Sequence, residues 1–253
     1  MKHLLTSNSI AQHVAKGYGT GKGASYKPWL EIRHVSSSGK STRVQGWHTK
    51  RMHSFLSDLE YNFFLLLEWD DDILDIQEQF PLFPQEEINE ICDALAVRIP
   101  RLPKATVEMV RTTDFLVTSK IGKEAWSIKP ARQLENKRVL EKLDIERAYW
   151  ERRGIPFSVI TENEIETIPA KNIRWFHGNR TNDTPSDLLR KIRGVLESVI
   201  PTSILGEACR EADELLGLTA GSSMSAVKHF IASKKWKVNI AKEISPQKPL
   251  ALL

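Results

Sequence analysis

The chain has 253 residues, with 36 Lys/Arg against 32 Asp/Glu, a net charge of +4, 41% hydrophobic and 27% charged residues. That length buries one large core or two modest ones, and the balance is that of a soluble globular protein, which excludes a disordered or fibrous chain. No stretch approaches the roughly 20 apolar residues of a membrane span, the opening Met1–Asn8 lacks a signal peptide's apolar run, and Cys92 and Cys209 form no CxxC, so the expectation is a cytoplasmic, bacterial-style protein without a zinc site or disulfide framework.

Residues 1–51 carry nine Lys/Arg and a single acid, Glu31, so +8 there out of +4 overall leaves −4 for the remainder. A basic module ahead of an acidic body points to a polyanion, most simply DNA, with a solubilising surface as the plainer alternative. Lys22, Lys27, Arg33, Lys40, Lys50 and Arg51 are the candidates for phosphate contact. The run Gly17, Gly19, Gly21, Gly23 with Lys22 lacks the spacing of a phosphate loop, the Ser/Thr after its lysine and a preceding strand, which rules out nucleotide binding. A flexible basic loop with stacking aromatics (Tyr18, Tyr26, Trp29, Trp47) fits better.

Residues 52–169 pattern as an α/β core. Ser57–Glu60 opens an apolar helix through Phe63, Phe64, Leu66, Leu67 and Trp69, broken by Asp70-Asp71-Asp72. Ile73–Phe80 alternates as a strand stopped by Pro81 and Pro84, and Phe115–Thr118 and Ala125–Lys129 form two more, with Gly122 near the turn. Ala131–Arg153 predicts a long amphipathic helix ending at Gly154, followed by a strand over Phe157–Thr161. Strand, helix and strand over 125–161 imply a parallel pair, and the whole order is that of a restriction-endonuclease-like mixed sheet flanked by helices. Residues 170–253 are mainly helical: one helix starts at Thr184-Pro185 and runs through Ile200, a pair spans 204–217 and 222–232, and Trp236–Ile240 predicts a short strand. That outline is winged-helix-like, with Lys228, Lys234, Lys235 and Lys237 on it. The end, with Pro246 and Pro249, predicts a flexible tail.

Three residues carry the chemistry. Asp114 sits where a polar run meets an apolar one, the pattern of a strand mouth, and Ser127-Ile128-Lys129 closes the next apolar run. Strand alternation puts 127 and 129 on one face near Asp114. A carboxylate and a lysine at a sheet edge suit metal-assisted phosphodiester hydrolysis, the carboxylate holding Mg²⁺ and the lysine neutralising charge. Asp114 could instead cap a turn, and Lys129 could be a solvated strand end. Glu60 completes an S-x-x-E capping box with Ser57, so a helix-capping role competes with a metal role. Ser127 offers only a hydroxyl, a weak accessory, while the Ile128 carbonyl suits a hard cation. The acids Glu68, Asp70, Asp71, Asp72 and Asp75 lack the spacing of a calcium loop and predict a solvated loop. His48 and His53 either line DNA or do nothing.

The stretches Leu56–Glu60, Leu67-Glu68-Trp69, Leu74–Leu82, Tyr26–Leu30, Ser37-Ser38-Gly39, Thr113–Val117, Lys129-Pro130 and Leu140–Trp150 closely resemble the TnsA family, the endonuclease subunit of heteromeric Tn-seven-like transposases. The resemblance spans about residues 10–180 strongly and the C-terminal third more loosely. It implies a restriction-endonuclease-like domain followed by a winged-helix-like one, cutting the 5′ strand at each transposon end with Mg²⁺, for which Mn²⁺ can substitute. A TnsB-like transposase would cut and join the 3′ ends, and a TnsC-like ATPase would regulate the complex. The family's catalytic glutamate, aspartate and lysine fall on Glu60, Asp114 and Lys129, with Glu60, Asp114 and the Ile128 carbonyl as metal ligands. Its accessory glutamine falls on Ser127, a departure. The competing readings are a free-standing restriction or resolving nuclease of the same fold and a non-catalytic DNA-bound adaptor.

Overall fold

The computed structural model describes residues 7–30, 41–98, 110–200 and 202–253. The chain divides between Ile165 and Glu166 into two compact units.

The first unit contains α1 (Ser7–Ala15), β1 (Thr42–Gln45), β2 (Met52–Phe55), α2 (Asp58–Trp69), β3 (Ile73–Pro81), α3 (Gln85–Ala94), β4 (Thr112–Ser119), β5 (Gly122–Ile128), α4 (Lys137–Glu151) and β6 (Phe157–Ile160). Its main sheet is mixed, in the order β3-β4-β5-β6: the first three strands run antiparallel, and β6 is parallel to β5. A separate antiparallel ribbon pairs β1 with β2.

Both faces of the sheet are covered, and alternation assigns them. Leu116 and Ala125 are paired across β4 and β5 and bury against Ile88, Ile91 and Cys92 of α3 and Ile145, Tyr149 and Trp150 of α4. The next pair, Phe115 with Trp126, points the other way, onto Phe63 of α2, with ring centroids 5.6 and 5.2 Å apart. Fully burying one such side chain is worth roughly 1.5–3 kcal/mol, so this double layer fixes the register.

Three expectations for this unit change. The helix predicted over Ala131–Arg153 is broken: a 3₁₀ turn spans Ala131–Glu135, and α4 starts afresh because the Asn136 carboxamide accepts from Arg138 N–H at 2.8 Å. Helix α3 was not expected between Pro84 and the next strand, though Ile88, Ile91 and Cys92 give it a buried stripe at helical spacing. The N-terminal segment is no loose loop over its described part. Residues 19–29 run along the β3 edge, with Gln77 Nε2 donating to Gly21 O (3.0 Å), Tyr26 Oη to Glu78 O (3.1 Å) and Trp29 N to Gln79 O (3.2 Å). Gly19, at φ +75°, comes so close that a Cβ would lie 2.2 Å from Pro81 Cγ. Tyr26 and Trp29 are buried by this packing, and Trp47 is buried too, so none of the three serves as an exposed stacking platform.

The second unit holds α5 (Thr167–Phe176), α6 (Ser186–Val199), α7 (Leu205–Leu215) and α8 (Ser222–Ala232) around Phe176, Ile192, Leu196, Ala212, Val227 and Ile231. Asp213 of α7 caps α8, its carboxylate accepting from Gly221 N and Ser223 N at 2.7 and 2.8 Å. Trp236–Ile240, expected as a strand, is irregular chain anchored by buried Trp236 and Val238. The expected flexible tail is tied down within this unit: Gly206 N donates to Pro246 O at 2.8 Å, Leu253 N to Lys237 O at 2.9 Å, and Leu250 is buried. Among the described residues no helix is long and apolar enough to cross a membrane.

Candidate active site at the end of the central hairpin

The β4–β5 register pairs Phe115 with Trp126, which brings Asp114 beside the end of β5. Asp114 Oδ2 accepts from the Ile128 N–H at 2.7 Å and from Lys129 Nζ at 2.5 Å, and its Oδ1 accepts from Gln79 Nε2 at 3.3 Å. Lys129, one residue past β5, is held by its own N–H on Ile160 O of the parallel neighbour (3.0 Å), and its Nζ also donates to Ile128 O (3.0 Å). Burial alone would lower the Lys129 pKa, but Asp114, Glu146 and Glu60 outweigh it and raise it, so this lysine is a fixed cation.

Glu60 performs the capping role and faces the site as well. Ser57 Oγ accepts from Glu60 N (3.1 Å) and donates to Glu60 Oε1 (2.8 Å), while Oε2 accepts from Leu56 N (3.2 Å). Its pKa is raised to about 7, first by burial and then by the negative charge of Asp114, which the Ser57 and Leu56 bonds and Lys129 only partly offset. Two carboxylates that repel each other across a largely buried site invite a cation.

Ser127 is fully buried. Its Oγ lies 2.9 Å from Glu146 Oε2 and 3.4 Å from Asp114 Oδ2. One hydroxyl has one proton, and the shorter bond takes it. Glu146, from α4, was missed by the sequence reading; it also accepts from Arg111 (3.0 Å) and Thr113 Oγ1 (3.3 Å), and burial raises its pKa against the pull of Arg111. The signal for it lay in the amphipathic pattern of 137–151, where an acid falls among buried neighbours.

Among the described residues no three His, Cys, Asp or Glu side chains cluster as a metal site. A Mg²⁺ ion needs fewer protein ligands, commonly one or two carboxylates with waters and phosphate oxygens. Glu60, Asp114 and the Ile128 carbonyl are all hard oxygen donors and fit that requirement.

The phosphate candidates separate. Lys22, Lys27 and Lys50 are exposed, Lys27 Nζ donating to Lys16 O at 2.9 Å. Arg33 and Lys40 lie outside the described residues. Arg51 is buried, its guanidinium bonding both oxygens of Glu78 and Ile76 O, so it has no reach to a phosphate. His53 joins the same cluster, Nδ1 2.9 Å from Glu78, and does not line DNA. Despite burial, these partners lower the Glu78 pKa to about 2. The acidic run also divides: Asp70–Asp72 are exposed, but Glu68 and Asp75 are buried, Asp75 accepting from Gly23 N at 3.1 Å.

A mixed sheet whose hairpin end gathers acidic oxygens and a lysine matches the endonuclease class. Comparison with known proteins agrees. Residues 70–162 match the family described as TnsA-like endonuclease N terminal, and residues 164–240 match TnsA endonuclease C terminal. The chain is 36% identical over 245 residues to the Transposon Tn7 transposition protein TnsA of Escherichia coli, covering 94% of this chain and 88% of that protein. The chain belongs to the TnsA endonuclease family.

Proposed function

We propose that this protein is the Mg²⁺-dependent endonuclease subunit of a transposase, hydrolysing the 5′ strands at transposon ends. It would act with a TnsB-like partner that handles the 3′ strands and a TnsC-like ATPase regulator, in the bacterial cytoplasm. The observation that carries this reading is the convergence of Lys129 Nζ and the Ile128 N–H on one oxygen of Asp114, with Glu60 sensing the same charge. Within it, the first unit is a restriction-endonuclease-like nuclease and the helical second unit a winged-helix-like module.

Asp114, Glu60 and the Ile128 carbonyl would hold the metal. When bound, Mg²⁺ supplies Lewis-acid polarisation of the phosphate and a lower pKa for a water. The chain's own groups do the rest. Glu60, whose carboxyl burial and Asp114 hold protonated up to about pH 7, would be favoured in its ionised form by a nearby positive charge. Lys129 holds Asp114 and would present its ammonium to a scissile phosphate, where it stabilises developing negative charge. Glu146 and Ser127 brace the β5 end from beneath rather than meeting substrate.

The test is strand-specific nicking of transposon-end DNA with Mg²⁺, with and without the partner transposase, for wild type and Asp114→Asn. The expected outcome is partner-dependent 5′ nicking that the variant loses. Sequence-specific cutting by the chain alone would assign a free-standing nuclease instead, and DNA binding without any cutting would assign an adaptor.

A further inference from the structure

Strand β3 has an irregular centre. Gln77, Glu78 and Gln79 are all buried, and Gln79 has φ +50°, a left-handed conformation that costs a side-chain-bearing residue. The side chains on either side show the effect. Glu78 points to Arg51 and His53, yet Phe80, two residues on, packs against Trp150 of α4 with ring centroids 5.6 Å apart, where alternation would return it to the Glu78 face. The facing strand breaks in step: Phe115 packs on α2, whereas Thr113 accepts from Trp150 Nε1 at 2.8 Å. The ladder pairs Glu78 with Phe115 and Phe80 with Thr113, so the two residues at the break are Gln79 and Asp114.

We propose that Gln79 is a positioning residue for Asp114, held in this conformation so that its amide fixes one carboxylate oxygen and leaves the other aimed at Lys129. This deepens, and rests on, the reading of Asp114 as a metal-binding carboxylate. Gln79 Nε2 donates to Asp114 Oδ1 at 3.3 Å, and its Oε1 accepts from Thr112 Oγ1 at 2.9 Å. A carboxylate only accepts, so the amide must present its nitrogen to Asp114. The main chain is pinned as well, since Gln79 O accepts from Trp29 N of the N-terminal segment. Glycine would adopt this φ without strain; the glutamine keeps the strain and supplies an amide that orients Oδ1. Residues that orient metal ligands in this way change metal affinity about 10–100-fold when removed.

The experiment is Mn²⁺ binding to the full chain without DNA, followed by electron paramagnetic resonance, for wild type, Gln79→Gly, Gln79→Met and Asp114→Asn. Circular dichroism and urea midpoints establish that each variant is folded. Glycine removes the amide and relieves the backbone, while methionine removes the amide at nearly constant shape, so one variant reports if the other fails to fold. The expected result is Mn²⁺ affinity lowered about tenfold or more in both folded Gln79 variants, with an unchanged KM for DNA and a lower kcat for nicking. A merely structural glutamine would leave the Mn²⁺ affinity of the folded protein at the wild-type value, and that result overturns the proposal. If Asp114→Asn weakens Mn²⁺ binding while the Gln79 variants do not, the positioning role alone is lost. If Asp114→Asn also binds Mn²⁺ like wild type, the metal-site reading falls with it.

Discussion

Glu60 offers a direct perturbation of the site, because its two roles respond oppositely to the same substitution. Glutamine at 60 keeps the capping box, whose third position accepts either residue, but removes the charge that burial and Asp114 disfavour. In the unfolded chain this carboxyl titrates near 4.5; in the folded, metal-free protein it titrates at about 7. Between those values the native state retains a proton that the unfolded state has released, so stability falls as pH rises through the window and the loss is complete above 7. At 1.36 kcal/mol per unit the loss is about 3 kcal/mol. Glu60→Gln has no such loss. In EDTA it should match wild type near pH 4.5 and exceed it by about 3 kcal/mol at pH 8, a midpoint rise on the order of 10 °C for a unit of this size. Saturating Mg²⁺ should narrow the gap by stabilising wild type alone, and nicking by the variant should be abolished. Thermal unfolding at the two pH values, with EDTA and then Mg²⁺, reads all of this. A glutamine variant no more stable than wild type at pH 8 would refute the reasoning, since Glu60 would then be ionised without penalty.

Arg51→Met should destabilise the first unit by about 3–5 kcal/mol, by stranding the buried Glu78 carboxylate, and leave the salt dependence of DNA binding unchanged; a smaller salt slope would return Arg51 to the DNA interface. Because the Glu78 pKa is depressed to about 2, its contribution is present above pH 4.5 and fades as pH falls towards 2, so acid unfolding of wild type should follow that window and Glu78→Gln should not. Neutralising Lys22, Lys27 and Lys50 should reduce the slope of log affinity against log salt by about 0.9 for each DNA phosphate that these lysines neutralise, and an identical slope would remove them from the interface. Ser127→Ala should lower stability by about 1–2 kcal/mol through the lost bond to Glu146 Oε2, which keeps the longer contact from Thr113, without moving the Mg²⁺ dependence of nicking. A shift in that dependence would give the hydroxyl a metal-side role.

Much of the first unit was legible because its signals are local. The Ser57 cap, the Gly122 turn and the alternating apolar runs each specify an element within a few residues, and α2, β3, β4, β5 and β6 follow from them. Asp114 and Lys129 were brought together by a hairpin, the shortest long-range contact a chain can make. What stayed hidden depends on partners far away in sequence. Arg51 looked like another basic residue of an exposed module, and only the fold shows Glu78 waiting for it, 27 positions on. Tyr26 and Trp29 suggested stacking surfaces because nothing local reveals that β3 offers them an edge to cover. The strand at Trp236–Ile240 failed for the converse reason: its alternation is genuine, with Trp236 and Val238 buried, but among the described residues of that unit no strand exists to pair with it.

The buried acids differ in the donors that surround them. Glu78 is almost fully buried, yet its pKa falls, because Arg51 and His53 bond it directly. Asp213 is buried against two backbone N–H groups at the start of α8, and Glu146 against Arg111. Each of these has donors suited to a permanent structural role. Glu60 has only neutral donors, the Ser57 hydroxyl and the Leu56 N–H, and a second carboxylate for a neighbour. In a dry interior such a group is neutral or else waits for a positive charge. Lys129 could have supplied that charge but is committed to Asp114 at 2.5 Å. Once Glu60 is ionised the site is therefore one positive charge short, and the shortfall sits among hard oxygen donors beside a lysine. The divalent cation of the proposed reading would balance that charge, whereas Glu78, Asp213 and Glu146 already hold the donors they need.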